Sequence, residues 1–529
     1  MSATLSAQAS TGSPDNRAVH RAEIAGVSAL GLLAAGILWW RWVGYQGHDD
    51  TSYAAAALDW VRNFPALGTD HWALRYPLVL PAAAAIALFG PSVPALAAVN
   101  VIAYAAFLVV NYLAARHWFG WGTAVLLTLI GIVLPQFPVQ ATYANPDLLE
   151  MTLTTASFWA LMLARERGGT WGTLLLSGVL AGIGFLTRET SLLLVILYGL
   201  LFLFRPAMPR WRYLLIALGF IVVVGAEAGY FTARTGDPLY RTRLSATHDV
   251  VDRSAKLTQA ESAGRALDSE GVLASSAFVA PFAAVFVSQK YGLLFFLAIP
   301  AYALLRAGRR MTPRQRSVVD CAGLGALVAF LFVALNVGIL YVVPRYFMVS
   351  AALAALPVAV LGARWLEEGG PRRNLAILAG LGFVATSLVL LDLENTHPMF
   401  AEQRIAEFVS ASDTPVHVDP ETARRLRYLL LVRGLLNRVS SDPPVSGSLV
   451  ATEDGVVQAC LGAPGCLLHE RMLRFAPGPG WTEVARYEPP RRSIAGLLEL
   501  VGLKRFVPAD IWRKIERPGV AGVVYRVAG

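Results

Sequence analysis

The sequence predicts a polytopic, all-α membrane domain that is followed by a small α/β domain. Of the 529 residues, 55% are hydrophobic and only 15% are charged, and the mean hydropathy is +0.52, whereas a soluble domain carries about 25% charged residues. Eleven apolar stretches approach the ~20 residues that a membrane-spanning helix needs. After residue 391 the composition becomes that of a soluble domain. We therefore divide the chain into a cytoplasmic tail (1–22), a transmembrane domain (23–391) and an α/β domain (392–529).

The arginines indicate which side of the membrane each loop occupies, because cytoplasmic loops carry an excess of Lys and Arg. The stretch 75–91 is short and bounded by prolines, and all inside loops are basic only if it lies along the outer interface. This topology puts the amino terminus in the cytoplasm and the α/β domain on the extracytoplasmic side. The predicted spans lie at residues 24–43, 94–115, 122–141, 148–164, 171–187, 190–204, 213–233, 291–305, 318–341, 346–363 and 374–391.

The formal net charge of +9 reflects this topology rather than a nucleic-acid partner. The arginines lie in short loops beside apolar spans, and no basic stripe is interleaved with exposed aromatic residues. Ala- and Arg-rich, Lys-poor usage is typical of a bacterial protein, so we expect the inner membrane. The sequence contains no Walker loop, no GxGxxG at a strand-to-helix junction and no HExxH. Use of a nucleotide sugar is therefore unsupported.

Polar residues collect in the outer loops that this topology defines. The first outer loop, 44–93, is long and includes the stretch HDDTSY, with two adjacent carboxylates after an apolar span. Short outer turns follow, with the sequences TYANPDLLE, FLTRETS and YVVPRYF. Carboxylates and arginines therefore converge on one membrane face. The candidate site residues are Asp49, Asp50, Tyr53, His71, Arg75, Tyr76, Tyr143, Asp147, Glu150, Arg188, Arg345 and Tyr346.

Five of the charged candidates also have a structural interpretation. Asp49 or Asp50 is a suitable N-cap for the helix that TSYAAAALDW predicts. Asp147 lies in the first turn of a predicted helix, where the helix dipole favours an acid. Arg188 and Arg345 lie near the ends of predicted spans, where an arginine can bury its apolar stem and extend its charged group to the lipid headgroups.

Three further features leave alternatives open. Glu227 lies within a predicted span, where an ionisable group is costly, and it either lines a cavity or pairs with an arginine. The large outer loop 234–290 either covers a site or is a solvated surface. Cys460 and Cys466 either form a small-loop disulfide in an oxidising compartment or are two free thiols.

Five short motifs occur in a defined order: HDDTSY, RYPLVLPAAAAIALFG, YANPD, FLTRE and PRYF. This series resembles the GT-C glycosyltransferases, and within them the branch of the protein O-mannosyltransferases and the aminoarabinose transferases of lipid A. The resemblance covers residues 20–365 as architecture, and the order of the motifs is more specific than any one of them. It implies an enzyme that transfers a sugar from a polyprenyl-phosphate carrier to an acceptor on the extracytoplasmic side.

The resemblance also implies roles for individual residues. Asp49 matches the catalytic aspartate of the first outer loop, Asp50 matches the acidic residue beside it, and Asp147 matches the acidic residue of the second outer loop. Relatives of the aminoarabinose type have Glu-Lys-Pro where this chain has Arg-Tyr-Pro at residues 75–77, so lipid A is not assigned as the acceptor. We expect substrate contacts at Tyr53, His71, Arg75, Tyr76, Tyr143, Glu150, Arg188, Arg345 and Tyr346.

The residue types suit this reaction on physical grounds. A hydroxyl acceptor is a weak nucleophile, and Asp49 can accept its proton as attack proceeds. The leaving polyprenyl phosphate needs positive charge, and arginine donates two parallel hydrogen bonds to phosphate, which favours Arg75, Arg188 and Arg345. A single displacement inverts the anomeric configuration. A divalent cation, Mg²⁺ or Mn²⁺, bound by Asp49 and Asp147 is left open, because two carboxylates are few ligands for such an ion.

Two other classes of protein also have many spans. A transporter or flippase of a lipid-linked sugar usually has internal repeats and broken helices at the midplane, and the sequence gives no sign of either. A non-catalytic scaffold of envelope glycan assembly would bind a partner through the α/β domain and would keep working after substitution of Asp49. We prefer the enzyme, with a lipid, glycan or protein as the acceptor and the membrane lipids as its surroundings.

Overall fold

The computed structural model describes residues 14–245, 279–308, 310–336, 343–454 and 477–528. Most of the outer loop 234–290 and both Cys460 and Cys466 lie outside the described residues. The disulfide and the role of that loop therefore stay predictions.

Helices form the transmembrane domain, and one is present at each predicted span. In chain order they are α1 (Pro14–Trp40), α2 (Asp49–Arg62), α3 (Tyr76–Phe89), α4 (Val93–Phe119), α5 (Trp121–Val133), α6 (Gln136–Ala141), α7 (Pro146–Glu166), α8 (Trp171–Thr187), α9 (Leu193–Phe204), α10 (Tyr213–Thr235), α11 (Leu294–Ala307), α12 (Pro313–Leu335), α13 (Met348–Glu368) and α14 (Gly370–Leu393). Among the described residues, six helices are long and apolar enough to cross a membrane: α1, α4, α10, α12, α13 and α14. The number of eleven crossings stays a prediction. The first outer loop contains two helices, α2 and α3, as predicted.

Local sequence signals set where helices begin. The side chain of Ser92 accepts a hydrogen bond from the N–H of Ala95 (3.3 Å) at the start of α4, and Asn145 does the same for Leu148 (3.3 Å) at the start of α7. A proline lies in the first turn of each helix, where its missing N–H is not needed. The Asn145 cap fixes the first turn of α7, and with it the position of Asp147.

The predicted span at 122–141 consists of two helices, α5 and α6, rather than one. Leu134, between them, is extended with a ψ of 115°, because the residue before a proline avoids the helical conformation. Pro135 also lacks the N–H that a continuous helix would use. The break leads the chain into the second outer loop, where Asn100 Nδ2 donates to the carbonyls of Tyr143 (2.6 Å) and Asn145 (2.9 Å).

Packing in the membrane places α13 at the centre of the domain and α1, α10 and α14 at its edge. In the most apolar part of α13, 78% of the residues are buried, compared with 11% to 17% in the three edge helices. The turn before α13, Pro344–Phe347, is a 3-10 helix. It therefore brings Arg345 and Tyr346 to the end of the central helix α13. Helix α8 approaches α10 closely through glycines, since a Cβ on Gly219 would lie 2.5 Å from the carbonyl oxygen of Leu175.

The α/β domain is built around a five-stranded sheet, which confirms the predicted class. Its elements are α15 (Phe400–Ala411), β1 (Val416–Val418), α16 (Pro420–Val432), β2 (Val439–Ser440), β3 (Leu449–Glu453), β4 (Thr482–Tyr487), α17 (Ser493–Leu500), α18 (Ala509–Glu516) and β5 (Gly522–Arg526). The strand order is β2-β1-β3-β5-β4. Strand β1 is parallel to β2 and β3, whereas β5 is antiparallel to β3 and β4.

The α/β domain packs on the first outer loop through α16. The rings of Tyr45 and Tyr428 lie 5.7 Å apart, and Tyr45 Oη donates to the carbonyl oxygen of Arg425 (3.2 Å). At Gly47 the backbone has a φ of +71°, and a Cβ there would collide with the sulfur of Met399. The loop and the domain therefore meet at a contact that leaves no room for a side chain.

Candidate active site

The two adjacent carboxylates at the start of α2 have different surroundings. Asp50 is buried, and its carboxylate accepts hydrogen bonds from the N–H groups of Gln46 (2.5 Å) and His48 (2.9 Å). Burial raises the pKa of Asp50 to about 7, against the lowering effect of these two N–H groups. Asp49 is directed elsewhere, and its side chain keeps 42% exposure. Asp50 thus shapes the loop, while Asp49 is left accessible from the outer face.

Asp49 joins a chain of alternating charges that links four interhelical loops. Arg345 Nη2 lies 3.5 Å from Asp49 Oδ2, and Arg345 Nε lies 3.6 Å from Asp147 Oδ2. Asp147 also forms a close ion pair with Arg188. The Asp147 side chain is 3% exposed and that of Arg188 is 9% exposed. We call these four residues the charge chain.

Tyr346 supports the two arginines of the charge chain from one side. The guanidinium carbon of Arg188 lies 3.9 Å from the centre of the Tyr346 ring, and that of Arg345 lies 5.8 Å from it. A cation over the face of an aromatic ring is attracted by the ring quadrupole. This stacking holds both guanidinium groups in place beside the carboxylates of Asp49 and Asp147.

A third arginine, Arg75, lies beside the charge chain. Its guanidinium donates a short hydrogen bond to Tyr53 Oη and lies 3.4 Å from His71 Nε2. Arg75 is 7% exposed and Tyr53 is fully buried. Burial alone would lower the pKa of Arg75, but Tyr53, Glu189 and Asp49 outweigh it and raise that pKa. Arg75 therefore stays charged next to Asp49.

Asp49 is ionised at neutral pH in this setting. Burial by itself would raise its pKa, but the charges of Arg345 and Arg75 outweigh this effect, and the pKa of Asp49 lies below its ordinary value of 3.8. The side chain of Trp72 also donates a hydrogen bond to this carboxylate. With Asp147 included, three arginines surround two carboxylates. Of these two carboxylates, Asp49 is the accessible one.

The remaining candidates support the loops around the site. Glu150 Oε1 accepts hydrogen bonds from Thr190 Oγ1 (2.6 Å) and Ser191 Oγ (3.1 Å), which ties α7 to the turn that follows Arg188. The Tyr76 hydroxyl lies 3.4 Å from the N–H of Gly68. Tyr76 also packs its ring on Trp60, Tyr230 and Phe231.

Tyr143 is likewise held in the protein interior. Its side chain is 4% exposed and belongs to the main apolar core. Glu150, Tyr76 and Tyr143 thus make contacts outside the charge chain, and their predicted contacts with substrate stay predictions.

Sequence reasoning missed Arg241, which connects the start of the large outer loop to the site. Arg241 forms ion pairs with Glu189 (3.1 Å) and Glu227 (3.1 Å), and it donates to the carbonyls of Leu74 (2.9 Å) and Leu186 (2.9 Å). Of the two interpretations of Glu227, the structure thus supports pairing with an arginine. An ionised glutamate within a span is energetically unfavourable unless it is paired, so Glu227 was the signal that a cation had to be near.

The carboxylates of the charge chain were also considered as metal ligands. Among the residues that the structure describes, no group of three or more His, Cys, Asp and Glu side chains is arranged to hold a metal ion. Arg345 lies between Asp49 and Asp147 and contacts both. This donor set does not fit Mg²⁺ or Mn²⁺ well, since these ions prefer several oxygen ligands. We therefore derive no step through a metal.

Comparisons with known proteins agree with the fold. A family profile described as dolichyl-phosphate-mannose-protein mannosyltransferase matches residues 77–226. The chain is similar to ArnT from Cupriavidus metallidurans in the apo state, with 14% identity and a TM-score of 0.52 over 84% of this chain and 95% of that chain. It is also similar to the same protein bound to undecaprenyl phosphate, with 14% identity and a TM-score of 0.50 over 82% of this chain and 94% of that chain.

A search of curated proteins finds no match to the sequence. The two similar structures show the fold of this chain, which is that of multi-pass GT-C membrane proteins. The chain is therefore built on the GT-C glycosyltransferase fold, which confirms the resemblance predicted from the five motifs.

Proposed function

We propose that this protein is an integral-membrane glycosyltransferase. It moves a sugar from a polyprenyl-phosphate carrier to a hydroxyl-bearing acceptor on the extracytoplasmic side of the membrane. The observation that carries the proposal is the charge chain, in which the accessible carboxylate of Asp49 contacts Arg345, and Arg345 and Arg188 both stack on the ring of Tyr346. Support also comes from the mannosyltransferase profile, and from a structure of similar fold that is described as bound to undecaprenyl phosphate.

In the proposed reaction, Asp49 acts as the general base. The acceptor hydroxyl oxygen attacks the anomeric carbon of the sugar, and Asp49 takes the hydroxyl proton as the new bond forms. The bond between the anomeric carbon and the phosphate oxygen breaks, and its electron pair leaves with the polyprenyl phosphate. Because the attack comes from the face opposite the leaving group, the anomeric configuration inverts. No strong general acid is needed, since the leaving phosphate is a stable anion.

The arginines are proposed to act on the leaving group. The carrier is a phosphodiester with one negative charge, and the departing phosphate monoester gains further charge as the bond breaks. Positive groups that are already in place stabilise this developing charge more than they stabilise the bound substrate. Arg345 and Arg188 are the groups that we assign to the phosphate, with Arg75 beside them.

Arg345 also links donor binding to the strength of the base. Without a donor, its guanidinium is shared between Asp49 and Asp147, which keeps the pKa of Asp49 low and makes it a weak base. A phosphate that draws Arg345 towards itself weakens the contact with Asp49, so the affinity of Asp49 for a proton increases when the donor is present. The base therefore becomes effective once the sugar carrier has bound.

The test is transfer of labelled sugar from a panel of short-chain polyprenyl-phosphate sugars by purified protein, with a cell extract as the source of acceptor. We expect transfer or slow hydrolysis by the wild type, and a loss of about 10²-fold to 10⁴-fold in Asp49→Asn. Asp59→Asn is the matched control, because Asp59 lies on the same helix and is exposed. Carrier binding without turnover in wild type and in both variants would contradict the proposal and would favour a flippase.

A further inference from the structure

A surface of the α/β domain, far along the chain from the charge chain, exposes an unusual number of large apolar side chains. It is formed by α17, the 3-10 helix Leu503–Phe506 and α18, and we call it the 493–516 surface. Leu500 is 84% exposed and Phe506 is 70% exposed. The exposed large apolar side chains of this surface are Leu497, Leu500, Val501, Leu503, Phe506 and Ile511.

These side chains are not needed to attach the segment to its own domain. Other residues of the same helices do that, since Ile494, Ala495 and Trp512 are buried with 7%, 0% and 6% exposure. The segment therefore has two apolar faces, one towards the domain and one towards the surroundings. Exposed apolar side chains that are grouped on one segment in this way are typical of a protein or membrane contact.

The position of α17 identifies the membrane as that contact. The N–H of Ile494 donates to Asp392 Oδ2 (3.1 Å) in the last turn of α14, and Asp392 is also paired with Arg41 at the end of α1 (3.3 Å). Helix α14 is one of the candidate spans, and only 17% of its most apolar part is buried. Exposed apolar side chains continue up α14, for example Leu381 (65%) and Val389 (42%). The 493–516 surface is thus continuous with a flank that faces lipid.

The charges of the surface are compatible with lipid headgroups. Lys504 and Arg505 lie between the exposed apolar residues, and the guanidinium carbon of Arg505 lies 4.8 Å from the centre of the Phe506 ring. Lys504 Nζ lies 5.2 Å from the Trp512 ring and 2.8 Å from Glu499. Long cationic side chains that flank apolar ones are typical of helices that lie in the membrane interface.

We propose that the 493–516 surface is an interfacial anchor that inserts its apolar side chains into the outer leaflet of the membrane beside α14, with Lys504 and Arg505 at the level of anionic headgroups. The α/β domain then has two attachments: α16 contacts the first outer loop, and the 493–516 surface contacts the lipid. The occupant of this surface is the bilayer itself rather than another protein.

The test uses the full chain in lipid nanodiscs. Cys321→Ala, Cys460→Ser and Cys466→Ser remove the native thiols, and Leu500→Cys or Phe506→Cys then carries a single fluorophore. Val445→Cys is the matched control, because Val445 is an apolar residue of the same domain with a similar exposure of 65%. Quenching is measured with a spin-labelled phosphatidylcholine in the bilayer and with iodide in the water, and size-exclusion chromatography verifies that each variant is folded.

We expect lipid quenching of the labels at 500 and 506 to exceed that at 445 by at least about threefold, and iodide quenching to show the opposite order. Equal iodide quenching at all three positions, with no lipid quenching above the control, would overturn the proposal. Replacing part of the phosphatidylcholine by phosphatidylglycerol should increase lipid quenching at 506, and Lys504→Glu with Arg505→Glu should abolish this increase. If the anionic lipid has no effect in either protein, the role assigned to Lys504 and Arg505 is wrong.

Discussion

Replacement of Arg345 by glutamine tests both roles that we assign to this residue. As bond breaking proceeds, the phosphate gains up to about one unit of negative charge. Two unit charges about 4 Å apart interact by about 1 kcal/mol in water and by about 4 kcal/mol at the effective dielectric constant near a protein surface. The Arg345 side chain is 29% exposed, so we expect an intermediate value. Conversion to rate gives a decrease in kcat between about 5-fold and 10³-fold, on the order of 10²-fold.

The same substitution should also change the pH dependence of kcat/KM, which reports the free enzyme. Arg345 favours the ionised form of Asp49, so its removal raises the pKa of that carboxylate. Because the base must be deprotonated, activity is lost as the pH falls through this pKa. In wild type the loss occurs below the ordinary carboxyl value of 3.8, and in Arg345→Gln it should begin at higher pH.

The assay is the pH profile of labelled-sugar transfer between about pH 3 and pH 8. Arg345→Lys is the control, because lysine keeps the positive charge but cannot donate the two parallel hydrogen bonds of a guanidinium group. In Arg345→Lys we expect a smaller decrease in kcat and little movement of the acid limb. An acid limb in Arg345→Gln that coincides with that of the wild type would refute the coupling of Arg345 to Asp49. A decrease in kcat below about 3-fold in Arg345→Gln would refute its role at the leaving group.

Three further predictions follow from contacts around the site. Tyr53→Phe removes the acceptor of the buried Arg75 hydrogen bond, which costs about 1–3 kcal/mol, so hydrogen exchange in α2 should be faster by mass spectrometry. Arg425→Met leaves the buried carboxylates of Glu402 and Glu453 without their shared cation, from which each lies 2.7 Å, and should destabilise the α/β domain by about 3–5 kcal/mol in thermal unfolding. Chelation of divalent ions with EDTA should change sugar transfer by less than about twofold, since Arg345 lies between the two carboxylates of the charge chain.

Each of these predictions has an outcome that would count against it. Hydrogen exchange in α2 that stays as slow in Tyr53→Phe as in wild type would mean that Arg75 does not hold this helix. Glu402→Gln and Glu453→Gln added to Arg425→Met should restore stability, because the substitutions remove the unpaired charges; failure to do so would show that Arg425 acts through packing alone. A loss of transfer above about tenfold in EDTA that Mg²⁺ or Mn²⁺ restores would establish a metal requirement.

The sequence alone predicts that the four residues of the charge chain lie on the same side of the membrane domain. Apolar run length and the arginine bias of the inside loops determine which turns share a face, and Asp49, Asp147, Arg188 and Arg345 all fall in outer turns. Their contacts, however, join positions up to about 300 residues apart, and no local pattern specifies those distances. The ion pairs of Arg241 and the contact of Arg425 with Tyr45 escaped prediction for this reason.

The sequence also did not specify the direction in which each side chain points. Asp49 and Asp50 are neighbours with the same side chain, and only the path of residues 46–48 decides which of them receives backbone hydrogen bonds. Tyr76 and Tyr143 belong to the motifs RYPLVLPAAAAIALFG and YANPD, yet their rings pack into the protein. Helix α5 ended early because Pro135 interrupts a stretch that is apolar enough to span. A proline does not break every apolar run, however, because Pro300 and Pro357 lie inside continuous helices.

The absence of a side chain at Gly47 has a consequence for engineering this protein. The backbone there presses directly against Met399, so the outer domain and the loop that bears Asp49 are complementary surfaces rather than independent modules. A chimera that exchanges residues 392–529 for the outer domain of a relative would place an unmatched surface on this glycine and would distort the loop. Such exchanges should succeed only when residues 44–62 are transferred together with the domain that covers them.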